Sequence, residues 1–107
     1  MTQQLLVLVT TSSKDEASTI AEALVSERLA ACVNIVGAIE SVYRWEGKIV
    51  RDAEALIVIK TTDERYGDLE RRVKQLHSYS TPEVIAIKIE RGSTEYLAWL
   101  GDSVREN

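Results

Sequence analysis

Four residue types are scarce in this chain of 107 residues, which has one cysteine, one proline, one histidine and no phenylalanine. Because Cys32 is the single cysteine, an intrachain disulfide and a metal cage made only of cysteines within one chain are excluded. A single histidine, His77, leaves few catalytic arrangements, and no Ser-His-Asp or Cys-His constellation can be placed. The phosphate-binding patterns G-x-x-x-x-G-K-S/T and G-x-G-x-x-G do not occur either. We therefore expect a protein that is not an enzyme.

Basic charge and long apolar runs are also limited. The net charge is −4, which repels phosphate backbones and argues against a nucleic-acid partner. The apolar run from Leu5 to Val9 is too short for a signal peptide or a membrane span, and the four residues before it carry no basic side chain. We expect a cytoplasmic protein with no membrane partner. With 45% hydrophobic and 28% charged residues, the composition is that of one globular domain over residues 1–107.

The first third of the chain predicts a strand followed by a helix. The continuous apolar run Leu5 to Val9 is typical of a strand that is buried on both faces. Ser13 and Glu16 match the S-x-x-E capping box, so a helix should begin there. Its inner face consists of apolar residues at helical spacing, namely Ala17, Ile20, Ala21 and Leu24.

The middle of the chain predicts an unusually long hairpin. β-branched and small residues indicate one strand from Ala31 to about Trp45, in which Gly37 marks a bulge. Glu46 and Gly47 form a two-residue turn, because glycine adopts positive φ without steric cost. A second strand then runs from Lys48 to Thr61.

The last third predicts a helix, a strand and a final helix. Thr62 or Asp63 caps the first of these helices. Its inner stripe is Tyr66, Leu69, Val73 and Leu76. Alternation from Val84 to Ile89 indicates a strand, Gly92 and Ser93 end it, and a short C-terminal helix carries Tyr96, Leu97, Leu100 and Val104.

The order β-α-β-β-α-β-α predicts an α+β fold, a ferredoxin-like βαββαβ sandwich with a C-terminal helix. Right-handed crossovers place the first two helices on one face of the four-stranded sheet. The other face keeps apolar residues that one short helix cannot cover, and the long hairpin projects past the domain. We therefore expect self-association to cover that face.

Several segments resemble the CutA divalent-ion (copper) tolerance family, in the family's order and over most of the chain. They are Leu29-Ala30-Ala31-Cys32-Val33-Asn34-Ile35, Ser41-Val42-Tyr43-Arg44-Trp45-Glu46-Gly47-Lys48, Ile59-Lys60-Thr61-Thr62, Thr81-Pro82-Glu83-Val84-Ile85-Ala86 and Tyr96-Leu97-Ala98-Trp99-Leu100. The resemblance implies an intertwined homotrimer, related in architecture to PII signalling proteins, that is linked to tolerance of divalent metals, chiefly copper.

The resemblance also implies metal ligands. The family's strand cysteine corresponds to Cys32 and its histidine to His77, as ligands for Cu(II) or another divalent cation. The resemblance does not supply Glu83, but a trimer could add Glu83, Tyr79 or residues of a neighbouring copy as further donors. The family's His-Pro-Tyr-Glu reads His77-Ser78-Tyr79-Ser80 here, so one proline and one carboxylate are missing and we expect weak binding. Cys32 and His77 cannot complete a four-ligand site alone, so any site should lie at a subunit boundary.

Each of these residues also has a purely structural interpretation. Cys32 is then a small hydrophobe packed in a strand, His77 binds the last carbonyls of a helix, and Glu83 is a solvated carboxylate. Tyr43, Trp45 and Trp99 are predicted to pack in subunit interfaces, because large aromatic side chains anchor interfaces.

Other functions of the same fold need residues that this chain lacks. An RNA-recognition module stacks bases on strand aromatics, whereas these strands carry Val, Ile and Leu. A heavy-metal chaperone would have C-x-x-C in the first loop and an acylphosphatase would have arginine there, but Thr10 to Ser13 has neither. A PII-like regulatory trimer that binds a small ligand or a protein partner at inter-subunit clefts stays open as an alternative, and so does a structural scaffold.

Overall fold

A computed structural model describes residues 2–105, and its elements follow the predicted order. The strands and helices are β1 (Gln4–Thr11), α1 (Lys14–Ser26), β2 (Cys32–Trp45), β3 (Lys48–Thr62), α2 (Asp63–Leu76), β4 (Val84–Lys88) and α3 (Thr94–Ser103). The bounds differ from the predictions by one or two residues, chiefly because β1 extends through Gln4 and Thr11.

The four strands form one antiparallel sheet in the order β2-β3-β1-β4, which is the ferredoxin-like arrangement. α1 and α2 pack side by side on one face of the sheet. Burial alternates along β1, so that Leu5, Val7 and Val9 face these helices while the residues between them are only half-buried. Within the single chain only the helix-facing side of β1 is fully buried, so burial of its other face, which the apolar run predicts, stays a prediction that needs a second copy.

The helix faces that the apolar spacing predicted form the core. All four residues predicted for the inner face of α1 are buried, and Ile20 and Leu24 join Leu69 and Val73 of α2 in one cluster. Tyr66 and Leu76 pack partly buried against it. Burial of these side chains, at roughly 1.5–3 kcal/mol each, holds the helices on the sheet.

The N-terminus of α1 departs from the predicted capping box in one bond. Ser13 is the N-cap, and its Oγ accepts a hydrogen bond from the backbone N–H of Glu16 at 3.1 Å. The Glu16 carboxylate does not return to Ser13. It accepts instead from the N–H of Ser12 at 2.9 Å and from the Ser12 hydroxyl at 2.8 Å. This arrangement leaves the second carboxylate oxygen available to another part of the chain.

The long hairpin has the predicted turn and bulge. Glu46 and Gly47 both have positive φ, 50° and 78°, as a tight turn with the twist of the flanking strands requires. The register shifts between Val36 and Ile39, so that Gly37 and its neighbour lie opposite one residue of β3. The part of the hairpin beyond the bulge, residues 39–54, is named here the arm. The molecule is 44 Å long, and its radius of gyration is 14.4 Å, against about 13 Å for a compact chain of this length.

The sheet face opposite α1 and α2 is named here the open face. Its apolar residues are Leu6, Leu8, Val36, Leu56, Val58, Ile85 and Ile87. α3 packs against one end of β1 and β3, where Leu100 is buried and the Gln4 side chain donates to the Leu97 carbonyl. Ile85 and Ile87 stay 50% and 52% exposed. Within residues 2–105, the end of the open face near α3 is covered, whereas Ile85 and Ile87 leave its β4 side exposed.

Candidate functional site

His77 ends α2, and its side chain is fully buried. Its Nε2 lies 2.8 Å from the carbonyl oxygen of Thr10, which can only accept, so Nε2 carries a proton. Its Nδ1 accepts a hydrogen bond from the backbone N–H of Tyr79 at 3.0 Å. Both ring nitrogens are thus occupied by backbone groups, and a metal ion would have to displace one of them.

Glu16 fastens the segment after α2 to the beginning of α1. Its Oε2 accepts from the backbone N–H of Ser78 at 2.6 Å and lies 3.7 Å from Nδ1 of His77. Burial by itself would raise the pKa of Glu16, but hydrogen bonds from Ser12 and Ser78 outweigh it and lower the pKa to about 2. The carboxylate is therefore ionised at all ordinary pH values and holds Ser78 in place.

Two tyrosines donate to carboxylates where the arm joins the sheet. The Tyr79 hydroxyl donates to Oε2 of Glu54 at 2.7 Å, and Glu54 is only 9% exposed. Burial raises the pKa of Tyr79, and so does the Glu54 carboxylate. The Tyr43 hydroxyl donates to Asp52, and that bond is the main cause of the raised pKa of Tyr43. Both phenols therefore stay protonated as hydrogen-bond donors.

These pairs line a cavity of about 710 Å³, named here the arm-base cavity. Its chemical character comes from the rings of Tyr43, Trp45 and Tyr79 and the carboxylates of Asp52, Glu54 and Glu83. The volume lies in the range of pockets that bind small molecules, about 300–1,000 Å³. The fold thus brings together Glu83, predicted as a metal donor, and Tyr43 and Trp45, predicted as interface residues.

Cys32 lies at the opposite end of the sheet, beside α3. Its Sγ is 3.9 Å from Oδ1 of Asn34, to which Lys60 also donates. Tyr96 of α3 is close by: burial raises the pKa of this tyrosine, and the Cys32 thiol adds to the effect. Trp99, which is 47% exposed, packs its ring 5.4 Å from that of Tyr96. Cys32 and Trp99 therefore share one neighbourhood, apart from the other predicted site residues.

The predicted ligands do not meet within one chain. In the sheet register, Cys32 of β2 lies opposite Lys60 of β3, which lies opposite Leu6 of β1. His77 instead contacts Thr10, which is four residues further along β1. At about 3.3 Å per residue, the two side chains are roughly 13 Å apart along the sheet. Among residues 2–105, no group of three or more His, Cys, Asp or Glu side chains is placed to hold a metal ion. A metal site that uses Cys32, His77 and Glu83 stays a prediction and needs a second chain.

Glu16, Asp52 and Glu54 were not singled out from the sequence. Glu16 was explained by helix capping alone, and its bond to Ser78 spans 62 residues, which no local pattern indicates. Glu54 had a usable signal. It shares a strand face with the apolar residues Leu56 and Val58 and with Asp52, so its carboxylate stands beside the apolar part of that face. A buried acid at such a position is a candidate for a specific role.

The chain is similar over almost its whole length to proteins of one family. Residues 5–103 match the family model described as CutA1 divalent ion tolerance protein. A Thermus thermophilus relative named divalent-cation tolerance protein CutA is 52% identical over 102 residues, which are 95% of each chain. The solved structure of divalent cation tolerance protein (Cut A1) from that organism has a TM-score of 0.94 at 49% identity, and the match covers 95% of this chain and 99% of that one.

Two further relatives carry a location in their names. The rice relative, from Oryza sativa, is named Protein CutA 1, chloroplastic; it is 48% identical over 103 residues, which are 96% of this chain and 58% of the longer rice protein. A solved structure from Archaeoglobus fulgidus is described as the periplasmic divalent cation tolerance protein CutA. It has a TM-score of 0.92 at 41% identity, and the match covers 95% of this chain and 99% of that one.

Proposed function

The chain belongs to the CutA1 divalent ion tolerance family, and on that premise we propose that it supports tolerance of divalent cations as a homotrimer that binds copper or another divalent cation weakly. The observation that carries the proposal is the open face, because the single chain leaves apolar sheet surface uncovered and keeps its predicted ligands apart. A second copy that packs on the open face covers the apolar surface and supplies ligands that one chain cannot bring together.

The energetic case for association comes from the exposed strand residues. Fully burying an isoleucine side chain contributes about 1.5–3 kcal/mol, so covering the exposed halves of Ile85 and Ile87 contributes roughly 2 kcal/mol per copy. Trp45 and Ile49 at the end of the arm are 62% and 70% exposed and gain further from a neighbour. The number three, rather than two, comes from the family resemblance.

The metal role rests on donors from more than one chain. Cys32 supplies a soft thiolate, while His77 and Glu83 lie at the other end of the sheet, so a neighbouring copy has to bring the two ends together. Binding at His77 costs one of its two backbone hydrogen bonds, about 1 kcal/mol each. This cost is the physical reason for expecting weak binding.

Titration of the purified protein with Cu(II), followed by calorimetry, tests the metal role. We expect saturable binding that is lost in Cys32→Ala or His77→Gln, whereas Glu22→Gln on the exposed side of α1 serves as a control that removes a carboxylate elsewhere. Circular dichroism checks that each variant is folded. Binding that is unchanged in both ligand variants, or no saturable binding at all, contradicts the proposal.

A PII-like regulatory trimer is the second candidate, and the arm-base cavity favours it because a cavity of about 710 Å³ suits a small ligand. Metal-independent binding of a metabolite would support this function. A structural scaffold is the third candidate, and it is the one left if neither copper nor a metabolite binds.

We further propose a single domain over residues 1–107, a cytoplasmic location and a role without catalysis. The family is named for tolerance and not for a reaction. Within residues 2–105, none of the helices combines the length and apolar character that crossing a membrane requires. Relatives named chloroplastic and periplasmic show that location varies in the family, so fractionation of cells that express the tagged protein is the test.

A further inference from the structure

Two consecutive backbone N–H groups follow α2, and each of them donates to a side-chain acceptor. The N–H of Ser78 donates to Oε2 of Glu16 at 2.6 Å, and the N–H of Tyr79 donates to Nδ1 of His77 at 3.0 Å. The two acceptor atoms lie 3.7 Å apart. Residues 78–79 are named here the latch, because they fasten the end of α2 to the beginning of α1.

The Thr10 carbonyl determines which ring nitrogen of His77 the latch covers. Because that oxygen can only accept, Nε2 keeps its proton and Nδ1 carries the lone pair. Histidines that bind metals have the same arrangement, in which one nitrogen donates to a carbonyl or a carboxylate and the other binds the ion. Nδ1 has a single lone pair, so the Tyr79 N–H and a cation exclude each other there.

The latch also covers a second donor that suits the same cation. Zn(II) lies about 2.0–2.2 Å from imidazole nitrogens and carboxylate oxygens, so one ion between two such atoms spans at most about 4.3 Å. Nδ1 of His77 and Oε2 of Glu16 are 3.7 Å apart and are therefore within reach of one ion. Two donors from one chain leave the remaining positions to water or to a neighbouring copy.

Neither partner of the bond between Ser78 and Glu16 belongs to the open face or to the arm, the two surfaces that self-association is proposed to cover. Ser78 is exposed, whereas the His77 ring is fully buried behind the turn. A cation can reach Nδ1 only after the N–H of Tyr79 has moved away from it. Movement of the latch therefore controls access to this nitrogen.

We propose that the latch is an autoinhibitory contact, which occupies Nδ1 of His77 and Oε2 of Glu16 when it is closed and frees both atoms for a divalent cation when it is open. This inference rests on the proposed metal role of His77, and it adds Glu16 as a ligand from the same chain. Weak binding then has a definite cause, because the apparent affinity falls in proportion to the fraction of molecules whose latch is open.

Ser78→Pro is the substitution that weakens the latch and leaves both ligands in place. Proline has no N–H, so the bond to Oε2 of Glu16 cannot form, whereas the carboxylate and the imidazole remain. His77 has φ −81° and ψ 142°, an extended conformation of the kind that a residue before proline prefers. Ser78→Ala is the matched control, because it loses the same hydroxyl and keeps the N–H.

Zn(II) is the probe, because it binds imidazole and is diamagnetic. It is titrated into the assembled, untagged protein at neutral pH, with calorimetry for the affinity and nitrogen NMR for the ring of His77, the single histidine. We expect Ser78→Pro to bind Zn(II) at least about fivefold more tightly than Ser78→Ala, because a hydrogen bond to a charged group stabilises the closed latch by more than that factor. Zn(II) should shift the Nδ1 signal and leave the proton on Nε2.

Amide hydrogen exchange of the unaltered protein is a second test, and it needs no variant. Saturation with Zn(II) should speed the exchange of the Ser78 and Tyr79 amides, because both lose their acceptors when the latch opens. The amide of Val73, which is buried within α2, serves as the control and should exchange at the same rate with and without Zn(II).

Three results would overturn the latch and leave the metal role of His77 standing: equal or weaker binding by Ser78→Pro relative to Ser78→Ala, a shift at Nε2 in place of Nδ1, or Zn(II) bound at His77 without faster exchange of the Tyr79 amide. Binding by Ser78→Pro alone would support the latch and show that the unaltered protein keeps it closed. No binding by any of the three proteins would overturn the latch as a guard of a cation site, and the copper titration then decides the metal role separately.

Discussion

Replacing Glu16 by Gln tests whether one carboxylate holds the end of α2 against the beginning of α1. In the native protein that carboxylate accepts three hydrogen bonds, two from Ser12 and one from the backbone N–H of Ser78. A glutamine side chain has one acceptor oxygen and one donor nitrogen. Its nitrogen must face an N–H group that also donates, so either Ser12 or Ser78 loses its partner.

The expected loss follows from the pKa of Glu16. Folding lowers it from 4.5 to about 2, and a difference of this size corresponds to about 3 kcal/mol of stability at neutral pH. The carboxylate lies near the surface, where solvent screens part of the interaction, so we expect the free energy of unfolding to fall by about 1–3 kcal/mol.

Because folding lowers the pKa of Glu16, the stability that this carboxylate contributes decreases as the pH falls. The stabilisation is complete above the ordinary pKa of 4.5 and is lost as the pH falls towards about 2, where the folded protein also takes up the proton. Glutamine has no proton to take up. The difference between wild type and Glu16→Gln should therefore be largest at neutral pH and should shrink steadily below about pH 5.

Urea unfolding followed by circular dichroism measures this difference, at one protein concentration because assembly affects stability. Glu22→Gln on the same helix is the matched control and should change the unfolding free energy by less than about 0.5 kcal/mol. A loss that is equal at neutral and acid pH, or no loss at all, would refute the role assigned to Glu16.

Three other substitutions test the core, the turn and the arm. Leu69→Ala removes a fully buried side chain of α2 and should lower the unfolding free energy by about 2–5 kcal/mol in urea; a loss below about 1 kcal/mol would contradict the packing described. Gly47→Ala keeps open space around the new Cβ but strains a φ of 78°, so about 1–2 kcal/mol should be lost, and no loss would mean a different turn. Trp45→Ala should shift the assembly towards smaller species on dilution in sedimentation velocity while the circular dichroism stays the same, and unchanged assembly would count against docking of the arm.

The fold was predictable because local patterns agree with the tertiary structure. The spacing of Ile20 and Leu24 on α1, the turn at Glu46 and Gly47 and the bulge at Gly37 each depend on neighbours within a few residues. Such features need only periodicity and the conformational freedom of glycine. The CutA resemblance added the family, which the comparisons confirm.

The site was less predictable because its contacts join distant parts of the chain. Tyr79 reaches Glu54 across 25 residues, and His77 reaches Thr10 across 67, so both depend on where the segment after α2 crosses the sheet. The structural interpretation of His77 from the sequence was that it binds the last carbonyls of α2. Its ring instead forms a hydrogen bond with the carbonyl oxygen of Thr10 in β1. Long-range register of this kind is set by packing and not by local residue preference.

Sedimentation velocity of the purified protein at micromolar concentration tests the central claim most directly, because it asks whether one chain can leave its open face uncovered in solution. The chain has a mass of 12.0 kDa, and we expect a single species at three times that mass. A stable monomer of 12.0 kDa would show that Ile85 and Ile87 need no neighbour, and it would contradict both the trimer and any metal site shared between subunits.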